Sequence, residues 1–201
     1  ALRLVLTILG MRDTTTIPER ALPRRTVYFH APLRRANLQY SVRMRPSSAQ
    51  AAQRLIASYI LDHHEGHSGI VYCLSRKDTH SKAVALAQHS SGRTRTGEYH
   101  SDLEEAEKHR VHAQWRTGAI QVVCATIAFG MGIDKGDVRF VVHACISKSL
   151  EGYYQETGRA GRDGAPSDCV LLYRAAADMS RASGMTASDG RAQAKLHAML
   201  R

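Results

Sequence analysis

The chain has 201 residues, 43% of them hydrophobic, which is enough for one compact domain with additional segments but not for two full domains. Lysine and arginine outnumber aspartate and glutamate by 28 to 18, and the net charge of +10 favours a polyanionic partner, nucleic acid before an anionic membrane surface. The sequence has neither an apolar run of membrane-spanning length nor a basic amphipathic helix with a large apolar face, so we expect no membrane partner.

The first 46 residues contain few strong structural signals. Residues 1–9 are typical of the last turns of a helix that stops at Gly10, and the polar stretch 11–25, with Pro18 and Pro23, is predicted to be a linker. Residues 26–29 form a short strand candidate. Apolar and polar residues alternate over 37–44, which predicts a half-exposed strand.

From residue 47 onward, helical and strand patterns alternate. The predicted strands cover residues 69–73, 120–125, 140–142 with their flanks, and 169–173. The predicted helices cover residues 52–60, with Ser47 or Ser48 as N-cap; 78–89; a segment from a capping box at Ser101 and Glu104 to about Thr117, with Gly118 beyond its end; and 150–157. The alanine-rich tail from residue 174 to the end is predicted to be helical.

Nearly continuous apolar strands separated by helices predict an α/β fold, with a parallel sheet flanked by helices on both faces. In such sheets, functional groups gather at the carboxyl ends of the strands. The four cysteines form no CxxC pair, and three lie in apolar runs, which favours buried thiols over a zinc site. The histidine pair His109 and His112 has helical spacing, but no carboxylate or thiol converges on it, which favours solvation over metal binding.

Residues 155–164 (QETGRAGRDG) place Arg159 and Arg162 among three glycines, directly after a predicted helix. A guanidinium group is always charged, and its planar fork of donors suits phosphate oxygens. Glycine lets the backbone turn tightly beside a ligand. The segment predicts an arginine that stabilises a phosphoryl group held elsewhere, with a solvated surface turn as the alternative.

Residues 125–135 (ATIAFGMGIDK) follow a buried strand and contain a hydroxyl at Thr126, glycines that include Gly132, and a carboxylate at Asp134. Asp134 is a candidate to accept a hydrogen bond from a ribose hydroxyl or to pair with an arginine. The alternative is a glycine-rich turn between two strands.

Ser75 and Arg76, with Lys77, follow the strand at 69–73 and open a helix, which suits a phosphate site. The alternative is an ordinary N-cap with solvated cations. Ser101 and Asp102 are predicted to be helix caps, and His100 is either a contact to a backbone phosphate or an uncommitted surface histidine.

Five segments of the sequence resemble the motifs of one protein family, and their order and spacing also agree. They are residues 68–76 (SGIVYCLSR), 99–103 (YHSDL), 125–135, 137–143 (DVRFVVH) and 153–164 (YYQETGRAGRDG). Together they resemble the second RecA-like lobe of a superfamily 2 helicase, specifically of the RecQ family of ATP-dependent 3′–5′ DNA helicases. Residues 35–38 (RANL) resemble the family's segment between the lobes more weakly.

The resemblance implies a RecA-like fold, the second lobe of a P-loop NTPase, and specific residue roles. It implies that Arg162 is the arginine finger, that Arg159 and Gln155 are its partners at the nucleotide, and that Asp134 and Gly132 belong to a nucleotide-contacting motif. It also implies that the single strand's phosphates are held by Ser75, Arg76 and Thr126, and His100 stays a candidate for a further phosphate contact.

Three domains and a set of partners follow from the same resemblance. Residues 1–46 would be the end of a preceding lobe and the linker, 47–174 the RecA-like domain, and 175–201 a helical tail that leads to an absent zinc-binding segment. Implied partners are ATP with Mg²⁺, shared with an absent N-terminal lobe, and single-stranded and junction DNA in recombination and repair. The implied location is the nucleus in a eukaryote and otherwise the cytoplasm or nucleoid.

The chain also departs from the family pattern. Gly136 and Ala36 stand where the family usually has proline, and the sequence shows no G-x-x-x-x-G-K-[ST] phosphate loop and no magnesium-holding Asp-Glu pair. We therefore expect a fragment of a larger protein that supplies half of an ATP site. The alternatives are a non-catalytic nucleic-acid-binding remnant and an RNA helicase of the same superfamily, although residues 129–135 favour RecQ and DNA.

Overall fold

The computed structural model describes residues 6–11, 14–15, 20, 26–27, 35–130, 133–175 and 177–179. The chain divides into two compact units, Ala1–Ala36 and Asn37–Arg201. In the first unit, residues 6–8 are helical, and strand β1 (Thr14–Thr15) pairs in parallel with β2 (Thr26–Val27). The predicted strand at 26–29 is thus present at its first two residues, while Pro18 and Pro23 of the predicted linker lie outside the described residues.

The second unit is built on a six-stranded sheet in the order β3-β8-β7-β4-β6-β5, with every neighbouring pair parallel. Its strands are β3 (Leu38–Met44), β4 (Ser68–Tyr72), β5 (Thr96–Tyr99), β6 (Val122–Ala125), β7 (Val138–His143) and β8 (Ser167–Tyr173). The central strands β4 and β6 are buried along their whole length because both faces of the sheet are covered.

Four helices connect these strands: α1 (Ala49–His64), α2 (Arg76–His89), α3 (Glu105–Thr117) and α4 (Leu150–Thr157). Residues 175 and 177–179, after β8, are also helical. Apolar residues of α1 and α2 pack with Val71 and Cys124 in one cluster, and those of α3 pack with Ile70 and Val123 in another. Since neighbouring residues of a strand point to opposite faces, helices cover both faces of the sheet, which confirms the predicted fold class.

Several local predictions hold. Ser48 caps α1, its hydroxyl accepting from the Ala51 amide at 3.1 Å, and Gly118 ends α3 in the left-handed conformation with φ of 82°. All four cysteines are free and buried, as predicted for core thiols.

Other local predictions are wrong. The N-cap of α3 is Glu104 without a side-chain cap bond, and Ser101 donates to Asp102 instead, so there is no capping box. Strand β5 was not predicted because its sequence, TGEY, has no apolar run, and its side chains are half-buried at a sheet edge.

Strand β3 is an edge strand that belongs to the sheet, because it pairs with β8 along its whole length. The compact unit therefore begins at Asn37, before the predicted domain boundary at residue 47. Only Leu38 of its apolar side chains is buried, whereas Val42 and Met44 are 67% and 76% exposed. The prediction of a half-exposed strand is therefore wrong, because β3 lies at the edge of the sheet and all its residues after Leu38 are exposed. Most of the predicted helical tail, residues 176 and 180–201, lies outside the described residues.

A buried polar cluster lies at the amino ends of the strands. The Asp168 carboxylate accepts from the Tyr59 hydroxyl at 2.6 Å and lies 3.0 Å from His64 Nε2. Burial lowers the pKa of His64, and the hydrogen bond to Asp168 opposes that effect. His64 also packs on the Phe140 ring, 4.8 Å between centroids, so the cluster joins α1 to two central strands.

Candidate functional site

The predicted DNA-contacting residues follow β4, β5 and β6, which are neighbours in the sheet, so their loops meet at its carboxyl edge. The Thr126 amide donates to the Tyr99 carbonyl at 3.1 Å, and the Cys73 amide donates to the Ala125 carbonyl at 2.7 Å. The loops after β4, β5 and β6 are therefore side by side, and each contributes at least one predicted DNA contact.

Ser75 and Arg76 stand where the β4 loop becomes helix α2. Ser75 is the N-cap, with its hydroxyl oxygen accepting from the Asp78 amide at 3.2 Å, so the capping alternative is confirmed. A hydroxyl that accepts still has one proton to donate. Arg76 forms an ion pair with Asp102, and because both side chains are at least half exposed, the pair contributes about 0–1 kcal/mol and is easily exchanged for a phosphate.

Thr126 directly follows β6, and His100 directly follows β5. Thr126 is half-buried, and its hydroxyl accepts weakly from the Ala128 amide at 3.4 Å. The His100 carbonyl accepts from the Leu103 amide at 3.3 Å, while its Nδ1 is buried with no hydrogen-bond partner. Thr126 thus follows the strand next to β4, and His100 follows the strand beyond it; no described hydrogen bond joins their side chains.

Arg162 and Asp134 come from different loops and form an ion pair of 2.6 Å between Nη1 and Oδ1. Both side chains reach solvent, with 39% and 82% of their surface exposed. In the next residue, Asp163 accepts from Arg139 at 2.6 Å and from the Ala165 amide at 3.0 Å, and these bonds hold the pKa of its carboxyl below the ordinary value. Asp134 therefore pairs with an arginine, one of its two predicted roles, and Gly132 lies outside the described residues.

Arg159 is half-buried and packs more deeply than Arg162. Its Nη2 is 3.0 Å from the place that a Cβ on Gly130 would occupy, so alanine there would require the guanidinium to shift by a few tenths of an ångström. Its guanidinium also lies near Tyr72: burial raises the pKa of that phenol, and the positive charge of Arg159 opposes the rise. Gln155, one helical turn earlier, is exposed.

The loop that carries Arg159 and Arg162 is clamped by Asn37. The Asn37 amide group donates to the Gly161 carbonyl at 2.8 Å and to the Ala165 carbonyl at 2.9 Å. Gly161 adopts φ of +54°, and an added Cβ would lie 2.5 Å from Asn37 Nδ2, so glycine is required for both backbone and space. We term residues 158–165 the arginine loop.

Sequence reasoning missed the clamp and the buried polar residues behind the site. Asn37 was noticed only as part of a weak family match, although a polar residue directly before a strand is a signal for a loop contact. Tyr72 and His143 are polar residues inside buried strands, and that pattern alone marks them for attention because buried polar groups need partners. Glu156 lies in a partly exposed helix and has no such signal.

Two further findings bear on the kind of site. Among the described residues, no group of three or more histidine, cysteine, aspartate or glutamate side chains is placed to hold a metal ion. His109 and His112 are therefore not part of such a group. No described helix has the length and apolar character needed to cross a bilayer.

A family model described as the helicase conserved C-terminal domain matches residues 50–164. The ATP-dependent DNA helicase Q1 of Rattus norvegicus is 46% identical over 172 residues, which cover 86% of this chain and 27% of that protein. The RecQ-like DNA helicase blm-1 of Caenorhabditis elegans is 45% identical over 139 residues, covering 69% of this chain and 14% of that protein.

Among solved structures, a DEAD box protein from the hyperthermophile Methanococcus jannaschii has a similar fold. Its TM-score is 0.61 at 20% identity, over 92% of this chain and 46% of that chain. The similarity at this level of identity concerns the fold, and it agrees with the parallel sheet and its helices.

Proposed function

Because the chain belongs to the helicase conserved C-terminal domain family and is similar to RecQ-type helicases, we propose that it is the second motor lobe of an ATP-dependent 3′–5′ DNA helicase. The lobe would supply an arginine finger and single-strand contacts to a longer protein. Its setting in recombination and repair, a nuclear location in a eukaryote and binding to DNA junctions are proposed from the family resemblance alone.

The exposed Arg162–Asp134 pair is the observation that supports this proposal best. It presents an exposed guanidinium whose fork of donors is ready to exchange a carboxylate for phosphate oxygens. Asp134, once released, can accept from a ribose hydroxyl. Gln155 is exposed nearby, and Arg159 is held on Gly130, so these residues fit one side of a nucleotide site.

The other side of that site would come from an N-terminal lobe. We assign no Mg²⁺ ligand to the described residues, and the phosphate loop and magnesium carboxylates would belong to the partner lobe. Closure of the cleft would bring Arg162 to the transferring phosphoryl group, where an arginine finger contributes roughly 10³- to 10⁵-fold in rate.

Arg162→Ala in the complete helicase tests this assignment. ATP hydrolysis with saturating single-stranded DNA should fall roughly 1,000-fold or more, while the Kd for DNA stays within about two-fold. Arg110→Ala is the matched control, because Arg110 is an exposed arginine of α3 that pairs only with groups on its own helix among its described bonds. Hydrolysis that persists in Arg162→Ala would overturn the assignment.

The DNA face has a separate test in salt dependence. If Arg76 contacts a backbone phosphate, the plot of log K against log salt for single-stranded DNA should become less steep by about 0.7 in Arg76→Ala. The effect should be the same for different base sequences, because phosphate contacts carry no sequence information. An unchanged slope, equal to that of Arg110→Ala, would remove Arg76 from the DNA face.

A further inference from the structure

The loops after β4 and β6, which we term the DNA-facing loops because they carry the proposed DNA contacts, share a cavity of about 110 Å³ with helix α4. Leu74 from the β4 loop and Thr126 and Ile127 from the β6 loop line one part of it, and His143, Ser147 and Glu156 line another. Because the side chains around this cavity are closely packed, movement of those on one side should displace those on the other. We term it the loop cavity.

Glu156 is a buried carboxylate in the wall of the loop cavity, with only 9% of the residue exposed. Its Oε2 lies 2.8 Å from His143 Nε2 and accepts from the Ser147 hydroxyl at 2.6 Å. His143 ends strand β7, and Ser147 lies in the loop that follows, so this one oxygen ties α4 to both. A buried acceptor with two donors fixes geometry, because loss of the acceptor leaves both donors unsatisfied.

The same contacts continue from His143 to the arginine-bearing side of the site. The Tyr72 ring stacks on His143 with 5.1 Å between centroids and 23° between planes, and its hydroxyl donates to the Phe129 carbonyl at 3.1 Å. Arg159 interacts with the same phenol. A continuous series of contacts therefore runs from Ser147 through Glu156 and His143 to the residues around Arg159.

The position of Glu156 in α4 makes it suitable for transmitting movement. It lies between exposed Gln155 and fully buried Thr157, and Arg159 follows within one helical turn. A rotation of α4 about its axis would re-aim Gln155 and the arginine loop, and a displacement of about 1 Å at a catalytic group can reduce a rate about 100-fold.

We propose that Glu156 is a positioning residue that couples the DNA-facing loops to the arginine-bearing end of α4 through His143 and Ser147. This inference rests on the proposed function, since it assigns a route by which bound DNA accelerates hydrolysis. Glu156 acts as a hydrogen-bond acceptor in this role and touches neither nucleotide nor DNA.

The test compares Glu156→Met and Glu156→Gln in the complete helicase. Methionine keeps the length of the side chain but accepts poorly, so the ratio of DNA-stimulated to DNA-free hydrolysis should fall roughly 2- to 30-fold, with the Kd for single-stranded DNA unchanged. Glutamine offers a carbonyl oxygen that can accept from both donors, so it should keep the ratio within about two-fold. Glu105→Met is the matched control, because the Glu105 side chain on α3 is 77% exposed.

Three results would overturn the coupling role. They are full DNA stimulation in Glu156→Met, an equal fall in stimulated and DNA-free rates, and loss of stimulation in Glu156→Gln. If Glu156→Met fails to fold, Ser147→Ala removes one donor and should lower the same ratio, and an unchanged ratio there overturns the role as well. Absence of DNA-stimulated hydrolysis in the wild-type helicase would instead refute the proposed function itself, and the coupling role with it.

Discussion

The clamp on the arginine loop predicts a large effect from a very small change, Asn37→Asp. The substitution preserves the shape of the side chain but replaces its two donated hydrogen bonds, to the carbonyls of Gly161 and Ala165, with a carboxylate that faces two carbonyl oxygens. Two neutral hydrogen bonds contribute about 1–3 kcal/mol together, and the repulsion adds to that loss. For a chain of this length the melting temperature should fall by roughly 2–12 °C.

Thermal unfolding of the purified chain, followed by circular dichroism, measures this shift. Gln39→Glu is the control, because it makes the same amide-to-carboxylate change on an exposed residue of the strand that follows Asn37 and should change stability by about 0.5 kcal/mol or less. If Asn37→Asp and Gln39→Glu melt at the same temperature, the amide of Asn37 does not hold the arginine loop and the reasoning is refuted.

Three further substitutions probe the core, the polar cluster and the site. Gly69→Ala should destabilise the chain by about 1–3 kcal/mol in urea unfolding, because the added Cβ would overlap the Phe140 ring. Acidification from pH 7.5 to 5.5 should lower the free energy of unfolding. Burial keeps the pKa of His64 below 6.5, so the unfolded chain takes up the proton at a higher pH than the folded chain does. His64→Gln should therefore reduce this pH dependence. Gly130→Ala should displace Arg159 and lower ATP hydrolysis of the complete helicase without changing single-strand affinity.

Each of these has a matched comparison. Gly136→Ala is the control for both glycine substitutions, since its added Cβ would lie 3.6 Å from the nearest atom, an ordinary contact. Equal stability of Gly69→Ala and Gly136→Ala, or equal hydrolysis by Gly130→Ala and Gly136→Ala, would contradict the packing argument. An identical pH dependence in wild type and His64→Gln would show that His64 is not the group that titrates.

The sheet was predictable because its central strands are buried on both faces. Such strands appear in the sequence as continuous apolar runs, for example at residues 120–125, and their alternation with helices indicates parallel order. Strand β5 was not predicted because Thr96–Tyr99 lies at an edge of the sheet, where half-burial permits glycine and glutamate. The sequence therefore predicts the interior of the fold better than its margins.

The site was predictable by residue type more than by geometry. Arginines among glycines indicate phosphate chemistry, and the pairing of Arg162 with Asp134 agrees with one role expected for the carboxylate. The clamp by Asn37 depends on residues more than a hundred positions away, which no local pattern encodes. For the same reason, local pattern favoured a cap role for Asp102, whereas the folded chain gives it to Arg76 as an ion-pair partner.

We propose that this lobe supplies half of a split ATP site. We would measure ATP hydrolysis with and without single-stranded DNA by this chain alone and by the complete helicase that carries it. We expect DNA-stimulated hydrolysis by the complete protein and none by the lobe alone. Hydrolysis by the lobe alone would contradict the split site, and absence of hydrolysis in both, with single-strand binding retained, would identify a binding module in place of a motor.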